Sequence, residues 1–181
     1  MWGRRWGRLA IGIIGIVAGC AGSSAAGAED AAPAVGHRVP DLALRAVEGG
    51  RTVELADVLG GRPALLMFWA SWCGWCRREL PVLERVEREY GARGLRVVLV
   101  SVETGDPARL AERIRAALGP LTVTGAMLID ASGVAQRTYR LRGLPTAFLV
   151  DRTGTVRASE IGFRDWTAGA ANRQLTELLA R

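Results

Sequence analysis

The sequence of 181 residues contains no lysine, one histidine and three cysteines. The single histidine, His37, lies far from the cysteines, and a second cysteine pair is missing. The ligand set of a structural zinc site is therefore absent, and we expect no metal. All 24 basic residues are arginine, and beyond the first eight residues they are interspersed with acids, which argues against nucleic-acid binding. Hydrophobic residues make up 49% of the chain, which excludes a disordered protein and suffices for one folded domain.

The N-terminus has the charge–apolar–small order of a secretory signal. Three arginines fall in the first eight residues, an apolar run follows over Leu9–Val17, and small residues precede Cys20. The apolar run is too short for a membrane-spanning helix. The stretch Val17–Cys20 resembles the lipobox of bacterial lipoproteins, in which the cysteine is lipidated and becomes the new N-terminus. We therefore predict a signal peptide over residues 1–19 and lipidation of Cys20; an ordinary cleaved signal or an uncleaved anchor are the alternatives.

Downstream of Cys20 the composition changes twice. Residues 20–34 are small and polar and predict a flexible tether. From residue 35 to residue 181, apolar patterns alternate between strand and helix periods and predict one folded domain. If Cys20 is lipidated, the odd cysteine count no longer conflicts with export, because the other two cysteines can pair. The expected location is the periplasm or the extracytoplasmic face of a bacterial membrane, with a lipid anchor.

The domain is predicted to be α/β. Turn signals at Glu48–Gly50 predict an N-terminal hairpin, and the continuous apolar run Ala64–Trp69 predicts a central strand buried on both faces. Further strands are expected at Arg96–Val102, Ala126–Ile129, Thr146–Val150 and Val156–Ile161. Helices are expected from Cys73 to a stop at Gly91, and over residues 106–118, 134–139 and 165–180. Such an order implies a central mixed β-sheet flanked by helices.

The sequence Cys73-Gly74-Trp75-Cys76 lies where the central strand gives way to a helix. Two intervening residues at a helix start allow the sulfurs to form and break a disulfide with little backbone movement. Unpaired amides and the helix dipole at this position favour a thiolate at Cys73. We therefore predict that Cys73 is the attacking nucleophile and that Cys76, one turn further in, resolves the mixed disulfide.

Four stretches carry longer motifs: Gly36–Leu42, Leu55–Gly61, FWASWCGWCRRELP at Phe68–Pro81, and GLPTAFLVDRTG at Gly143–Gly154. Together they resemble the TlpA/ResA/DsbE branch of the thioredoxin superfamily, and the likeness extends in order from residue 35 to about residue 180. The resemblance implies a thioredoxin-like fold with an N-terminal β-hairpin extension.

The resemblance also implies site residues besides the cysteines. Pro145 occupies the place of a cis-proline that faces the cysteine pair, and the backbone of Leu144 is expected to bind an extended substrate. Glu79 matches a glutamate that manages protons during resolution; an exposed glutamate without such a role is the alternative. Trp72 and Trp75 are expected to bind substrate. Because many relatives have proline at the position of Trp75, the resemblance leaves the reduction potential open.

The implied function is an exported, membrane-anchored thiol–disulfide oxidoreductase that reduces protein disulfides without a cofactor. Expected partners are protein disulfides, apocytochrome c among them, and a membrane thiol carrier that donates electrons; we expect a monomer. One alternative is a peroxidase of the peroxiredoxin-related type, which needs threonine or serine where this chain has Ala70. The other is a copper chaperone, which needs a CxxxC pair and a distant histidine.

Overall fold

The computed structural model describes residues 33–122 and 125–181. The predicted signal peptide, the lipidation site Cys20 and most of the tether lie outside these residues. Within them, no helix is long and apolar enough to cross a membrane.

The described residues form seven strands and five α-helices. The strands are β1 Ala43–Ala46, β2 Thr52–Glu54, β3 Ala64–Trp69, β4 Arg96–Ser101, β5 Ala126–Ile129, β6 Thr146–Val150 and β7 Val156–Ile161. The helices are α1 Leu55–Leu59, α2 Gly74–Tyr90, α3 Pro107–Leu118, α4 Val134–Thr138 and α5 Gly169–Leu179. A single 3-10 turn, Gly91–Arg93, follows α2.

All seven strands belong to one mixed sheet in the order β2-β1-β5-β4-β3-β6-β7. The three strands β5, β4 and β3 are parallel to one another. On one side β6 pairs antiparallel with β3, and the edge strand β7 pairs antiparallel with β6. The hairpin β1–β2 adds to the other side through antiparallel pairing of β1 with β5. The predicted thioredoxin-like α/β fold is thereby confirmed, and the hairpin extends the sheet.

The core has two layers because strand side chains alternate between the faces of the sheet. Leu65, Met67 and Trp69 of β3 pack in the cluster that contains α2, α3 and α5. Leu66 and Phe68 pack on the opposite face with α1 and α4. Every residue of β3 is buried, as the continuous apolar run predicts. A strand covered on both faces holds its C-terminal end, and the helix that follows, in a fixed place.

Helix α2 ends at Tyr90 with Gly91 as its C-cap, as predicted, and the 3-10 turn then leads to Gly94, where φ is 102°. Two other features differ from the sequence prediction. The last helix begins at Gly169 and not at Asp165, because the Asp165 carboxylate accepts hydrogen bonds from the backbone and hydroxyl of Thr167 and forms a turn there. The short helix α1 was not predicted.

Sheet register brings three loops to one edge. Because β3 and β4 are parallel, Trp69 pairs with Ser101 at their common C-terminal end. On the other side Phe68 pairs with Thr146, the first residue of β6. The segments after β3 and β4 and the segment before β6 therefore meet at this edge, where the cysteine pair lies.

Candidate active site

The cysteine pair lies at the junction of β3 and α2. The backbone N–H of Cys73 donates to the carbonyl of Ala70 at 3.1 Å and turns the chain after the strand. Cys73 is the N-cap of α2, and its Sγ accepts a hydrogen bond from the N–H of Cys76 at 3.2 Å. The two cysteines form a disulfide with their Cα atoms 5.3 Å apart. The predicted redox pair is thus brought together by the helix start.

The two sulfurs differ in their access to solvent. Cys73 is 7% exposed, whereas Cys76 is fully buried. The first turn of α2 contains no acidic residue, and Arg77 and Arg78 are exposed beside it. Helix N-termini and neighbouring cations both stabilise an anion. Cys73 is therefore the more accessible of the two sulfurs, in surroundings that favour a thiolate.

The segment before β6 lies beside the pair. The peptide bond between Leu144 and Pro145 is cis, as the resemblance implied, and Pro145 is buried. The carbonyls of Gly143 and Pro145 are engaged by Thr146 and Gly162 respectively. Among the described residues nothing bonds to the backbone N–H or C=O of Leu144, which is half-buried. Leu144 therefore offers a free donor and acceptor next to the disulfide.

An open groove of about 450 Å³ runs along the pair. It is lined among others by Trp72, Cys73, Trp75, Leu141, Arg142 and Leu144. Its apolar walls and its position over Cys73 suit a polypeptide segment that carries a disulfide.

The two predicted substrate-binding tryptophans are exposed. Trp72 is 71% exposed and Trp75 57%, although large apolar side chains are normally covered. Trp75 contacts the ring of Phe163, with centroids 6.3 Å apart, and the guanidinium of Arg78, 4.8 Å from the indole centroid. These contacts restrain the indole, although more than half of the residue stays exposed. Phe163 was not predicted, since it lies almost ninety residues away in sequence.

Glu79 is fully buried on α2, three residues after Cys76. Its Oε1 accepts a hydrogen bond from the indole Nε1 of Trp166 at 2.7 Å, and its Oε2 accepts one from the backbone N–H of Arg164 at 3.1 Å. Burial raises the pKa of Glu79 to about 7, and the two hydrogen bonds oppose the rise. The exposed-glutamate alternative is therefore wrong.

A carboxyl group with a pKa near 7 can both accept and donate a proton at neutral pH. Residues three apart on a helix share a face, so Glu79 and Cys76 lie on the same side of α2. The arrangement gives the buried cysteine a potential proton acceptor inside the protein.

A second buried carboxylate, Glu103, was missed by the sequence analysis. It follows β4, and its carboxylate accepts hydrogen bonds from the N–H of Ser71 at 2.7 Å, the hydroxyl of Ser71 at 2.8 Å and the hydroxyl of Ser101 at 3.0 Å. Arg113 of α3 lies 4.0 Å from it. Glu103 thus holds the loop immediately before Trp72 and Cys73. A charged residue directly after a buried parallel strand was the signal that could have identified it.

Within residues 33–122 and 125–181, no group of three or more histidine, cysteine, aspartate or glutamate side chains could hold a metal ion.

Comparison with known proteins gives a consistent result. Residues 35–159 match the AhpC/TSA family. The chain is 33% identical to the thiol-disulfide oxidoreductase ResA of Geobacillus thermodenitrificans, over 71% of this chain and 70% of that protein. It is 31% identical to the thioredoxin-like protein YneN of Bacillus subtilis, over 70% of this chain and 71% of that one.

The chain is also similar to a solved structure. The crystal structure of a protein described as thiol:disulfide interchange protein DsbE, from Chlorobium tepidum, superposes with a TM-score of 0.71. It is 32% identical to this chain, and the match covers 82% of this chain and 99% of that one.

Proposed function

The chain belongs to the AhpC/TSA family and is a ResA-like thiol–disulfide oxidoreductase of the thioredoxin superfamily; from this premise we propose that it reduces protein disulfides outside the cytoplasm through a Cys73–Cys76 dithiol cycle. The observation that supports this proposal most directly is the redox pair itself: Cys73 caps a helix N-terminus beside an open apolar groove, and Cys76 is buried behind it.

The first step is attack by the Cys73 thiolate on one sulfur of a substrate disulfide. The substrate S–S bond breaks, and its electron pair leaves on the second substrate sulfur as a thiolate. The product is a mixed disulfide between Cys73 and the substrate. Only the sulfur that is open to the groove can begin this exchange, and that sulfur is Cys73.

The second step resolves the mixed disulfide. Cys76 loses its proton, its sulfur attacks the sulfur of Cys73, and the substrate leaves with its second thiol. The substrate has gained two electrons, and the Cys73–Cys76 disulfide has formed. Glu79 accepts the proton of Cys76, since its pKa of about 7 leaves a substantial fraction ionised at neutral pH.

Substrate binding uses the groove and the free backbone of Leu144. An extended segment on either side of the substrate disulfide can pair with the N–H and C=O of Leu144, as peptides do when they add to a sheet edge. Trp72 and Trp75 supply exposed aromatic surface for its side chains. Binding through backbone and apolar contacts suits protein disulfides of varied sequence.

The net direction of electron flow is reduction. An exported protein works in a compartment where thiols are oxidised by default, so a reductase there needs a membrane thiol carrier that returns electrons to the pair. Anchoring through lipidated Cys20 would keep a monomeric domain close to such a donor, because several acyl chains hold a protein firmly at a membrane. The cysteines of apocytochrome c, when they form a disulfide, are one class of substrate for a reductase at this location.

The test is trapping. A Cys76→Ser variant retains the nucleophile but cannot resolve, so it should accumulate mixed disulfides at Cys73 that dithiothreitol releases. Cys73→Ser should trap none and should lose reduction of an insulin disulfide. Equal trapping by both variants would contradict the assigned roles.

Two further measurements distinguish this reductase from an oxidase and from a peroxidase. Redox titration of the pair should give a potential well below that of strong oxidants; a value near −120 mV would reverse the direction. Turnover of hydrogen peroxide with a dithiol, dependent on Cys73, would instead support the peroxidase alternative.

A further inference from the structure

The groove beside Cys73 is lined by one charged side chain that has no ion-pair partner within the described chain. Among the described residues that line it, Arg142 is the only charged one, and the others are apolar or neutral. Arg142 is exposed, and within the described chain its side chain has no hydrogen bond, ion pair or ring contact. A residue that lines the groove two residues before Leu144 therefore carries an unpaired guanidinium.

Two other arginines near the pair are engaged, whereas Arg77, in the first turn of α2, is exposed, has no side-chain contact within the described chain and does not line the groove. The guanidinium of Arg78 lies over the ring of Trp75, and Arg164 pairs with Glu160 at 3.4 Å. The two buried carboxylates of the site are occupied by hydrogen bonds from within the protein. The charge in the groove that remains for a ligand is therefore the positive charge of Arg142. The planar guanidinium places its N–H donors where they match the two oxygens of a carboxylate.

We propose that Arg142 is a specificity-determining residue that selects protein disulfides with an acidic side chain close to the reacting cysteine. The proposal rests on the proposed function and names the class of its substrates. Apolar contacts with the tryptophans and backbone pairing at Leu144 hold the segment, and Arg142 discriminates among segments by charge. Electrostatic complementarity of this kind changes association rates and selectivity more than total affinity.

The groove fits a polypeptide better than a small disulfide. Its volume is about 450 Å³, and its lining combines the exposed tryptophans with the free backbone of Leu144. A polypeptide segment can pair with that backbone while its side chains cover the aromatic surface.

The experiment uses otherwise identical peptides, each with one disulfide, that carry aspartate, asparagine or lysine beside the first cysteine. The reduced protein is mixed with each peptide at low salt, and the second-order rate constant for peptide reduction is measured. The wild type should reduce the aspartate peptide fastest and the lysine peptide slowest. Raising the salt to about 1 M, where the screening length falls to about 3 Å, should remove most of the difference.

Substitution isolates the residue. Arg142→Gln should slow reduction of the aspartate peptide about threefold, in the range of an exposed ion pair, and should slow reduction of the asparagine peptide less. Arg142→Glu should reverse the preference. Arg152→Gln removes the same charge from an exposed position in the turn after β6, at the end of that strand away from the site, and should have no effect.

The outcomes are distinct. Failure of the wild type to reduce any of the peptides would refute the proposed function. Reduction of all three at one rate, or equal effects of Arg142→Gln and Arg152→Gln, would overturn the role of Arg142 alone. Equal sensitivity of glutathione disulfide to Arg142→Gln would overturn the polypeptide as the substrate class.

Discussion

Replacing Glu79 with glutamine should change how the stability of this protein depends on pH. The native carboxyl is buried and has a pKa of about 7, whereas a glutamate in the unfolded chain has its ordinary pKa of 4.5. Between these pH values the unfolded state binds fewer protons than the native state. The free energy of unfolding of the wild type therefore falls as the pH rises through this window, and stays level above it.

The size of the effect follows from the shift. A difference of roughly 2.5 pH units at 1.36 kcal/mol per unit corresponds to about 3 kcal/mol lost between pH 4.5 and pH 7. Glutamine has no proton to lose, so the Glu79→Gln variant lacks this decline. Its amide oxygen can still accept from Trp166, and the bond from Arg164 is lost at every pH. The stability of the variant relative to the wild type should thus rise by about 3 kcal/mol across the window.

The assay is urea unfolding of the oxidised proteins at pH values from 4 to 8. Groups other than Glu79 titrate in both proteins and cancel in the difference. Glu89→Gln, which removes an exposed carboxylate from the same helix, is the matched control and should follow the wild type. Parallel stability curves for wild type and Glu79→Gln would refute the reasoning that a buried, near-neutral carboxyl group lies beneath the cysteine pair.

Three more predictions concern the site and the anchor. Glu103→Ala leaves the two donors of Ser71 and the hydroxyl of Ser101 without an acceptor and should cost about 3 kcal/mol, seen as a lower Tm, whereas Glu112→Ala on the exposed side of α3 should not. Trp75→Ala should raise the KM for an apolar peptide disulfide about tenfold, since it removes apolar contact worth about 1–2 kcal/mol, and Trp75→Phe should restore part of the binding. Cys20→Ser should move the protein from the membrane fraction to the soluble fraction of cells, and retention in the membrane would contradict lipid anchoring.

Much of the fold could be predicted because local patterns determine it. The run Ala64–Trp69 contains six consecutive apolar residues, which a strand of this length tolerates only in the middle of a covered sheet. Asp106 before Pro107 predicts the start of α3, and its side chain caps the N–H of Arg109 at 3.0 Å. The cysteine pair falls at a strand-to-helix junction for the same local reason.

The environment of Glu79 could not be predicted in this way. Its two hydrogen-bond donors, Arg164 and Trp166, lie 85 and 87 residues further along the chain. Whether the glutamate is exposed or buried depends on how the segment before α5 packs beneath α2. The same segment misled the prediction of the last helix, since a turn at Asp165 places Trp166 in the core before the helix begins.

The site residues that the sequence analysis missed also depend on distant contacts. Glu103 bonds to Ser71 across 32 residues, and Phe163 meets Trp75 only because the end of β7 lies beside α2. Helical or strand periodicity carries no information on such pairs. The contact between Glu103 and Ser71 follows only once the parallel register of β3 and β4 places the C-terminal ends of both strands at one edge of the sheet.

The central claim is that the Cys73 sulfur, at the N-terminus of α2, is ionised near neutral pH and begins the exchange. Alkylation of the reduced protein with iodoacetamide across pH 4 to 9, with peptide mass spectrometry to locate the label, tests it directly. The account predicts that Cys73 is labelled before Cys76, with a pH midpoint below about 7.5. A midpoint at or above the ~8.5 of free cysteine, or earlier labelling of Cys76, would contradict it.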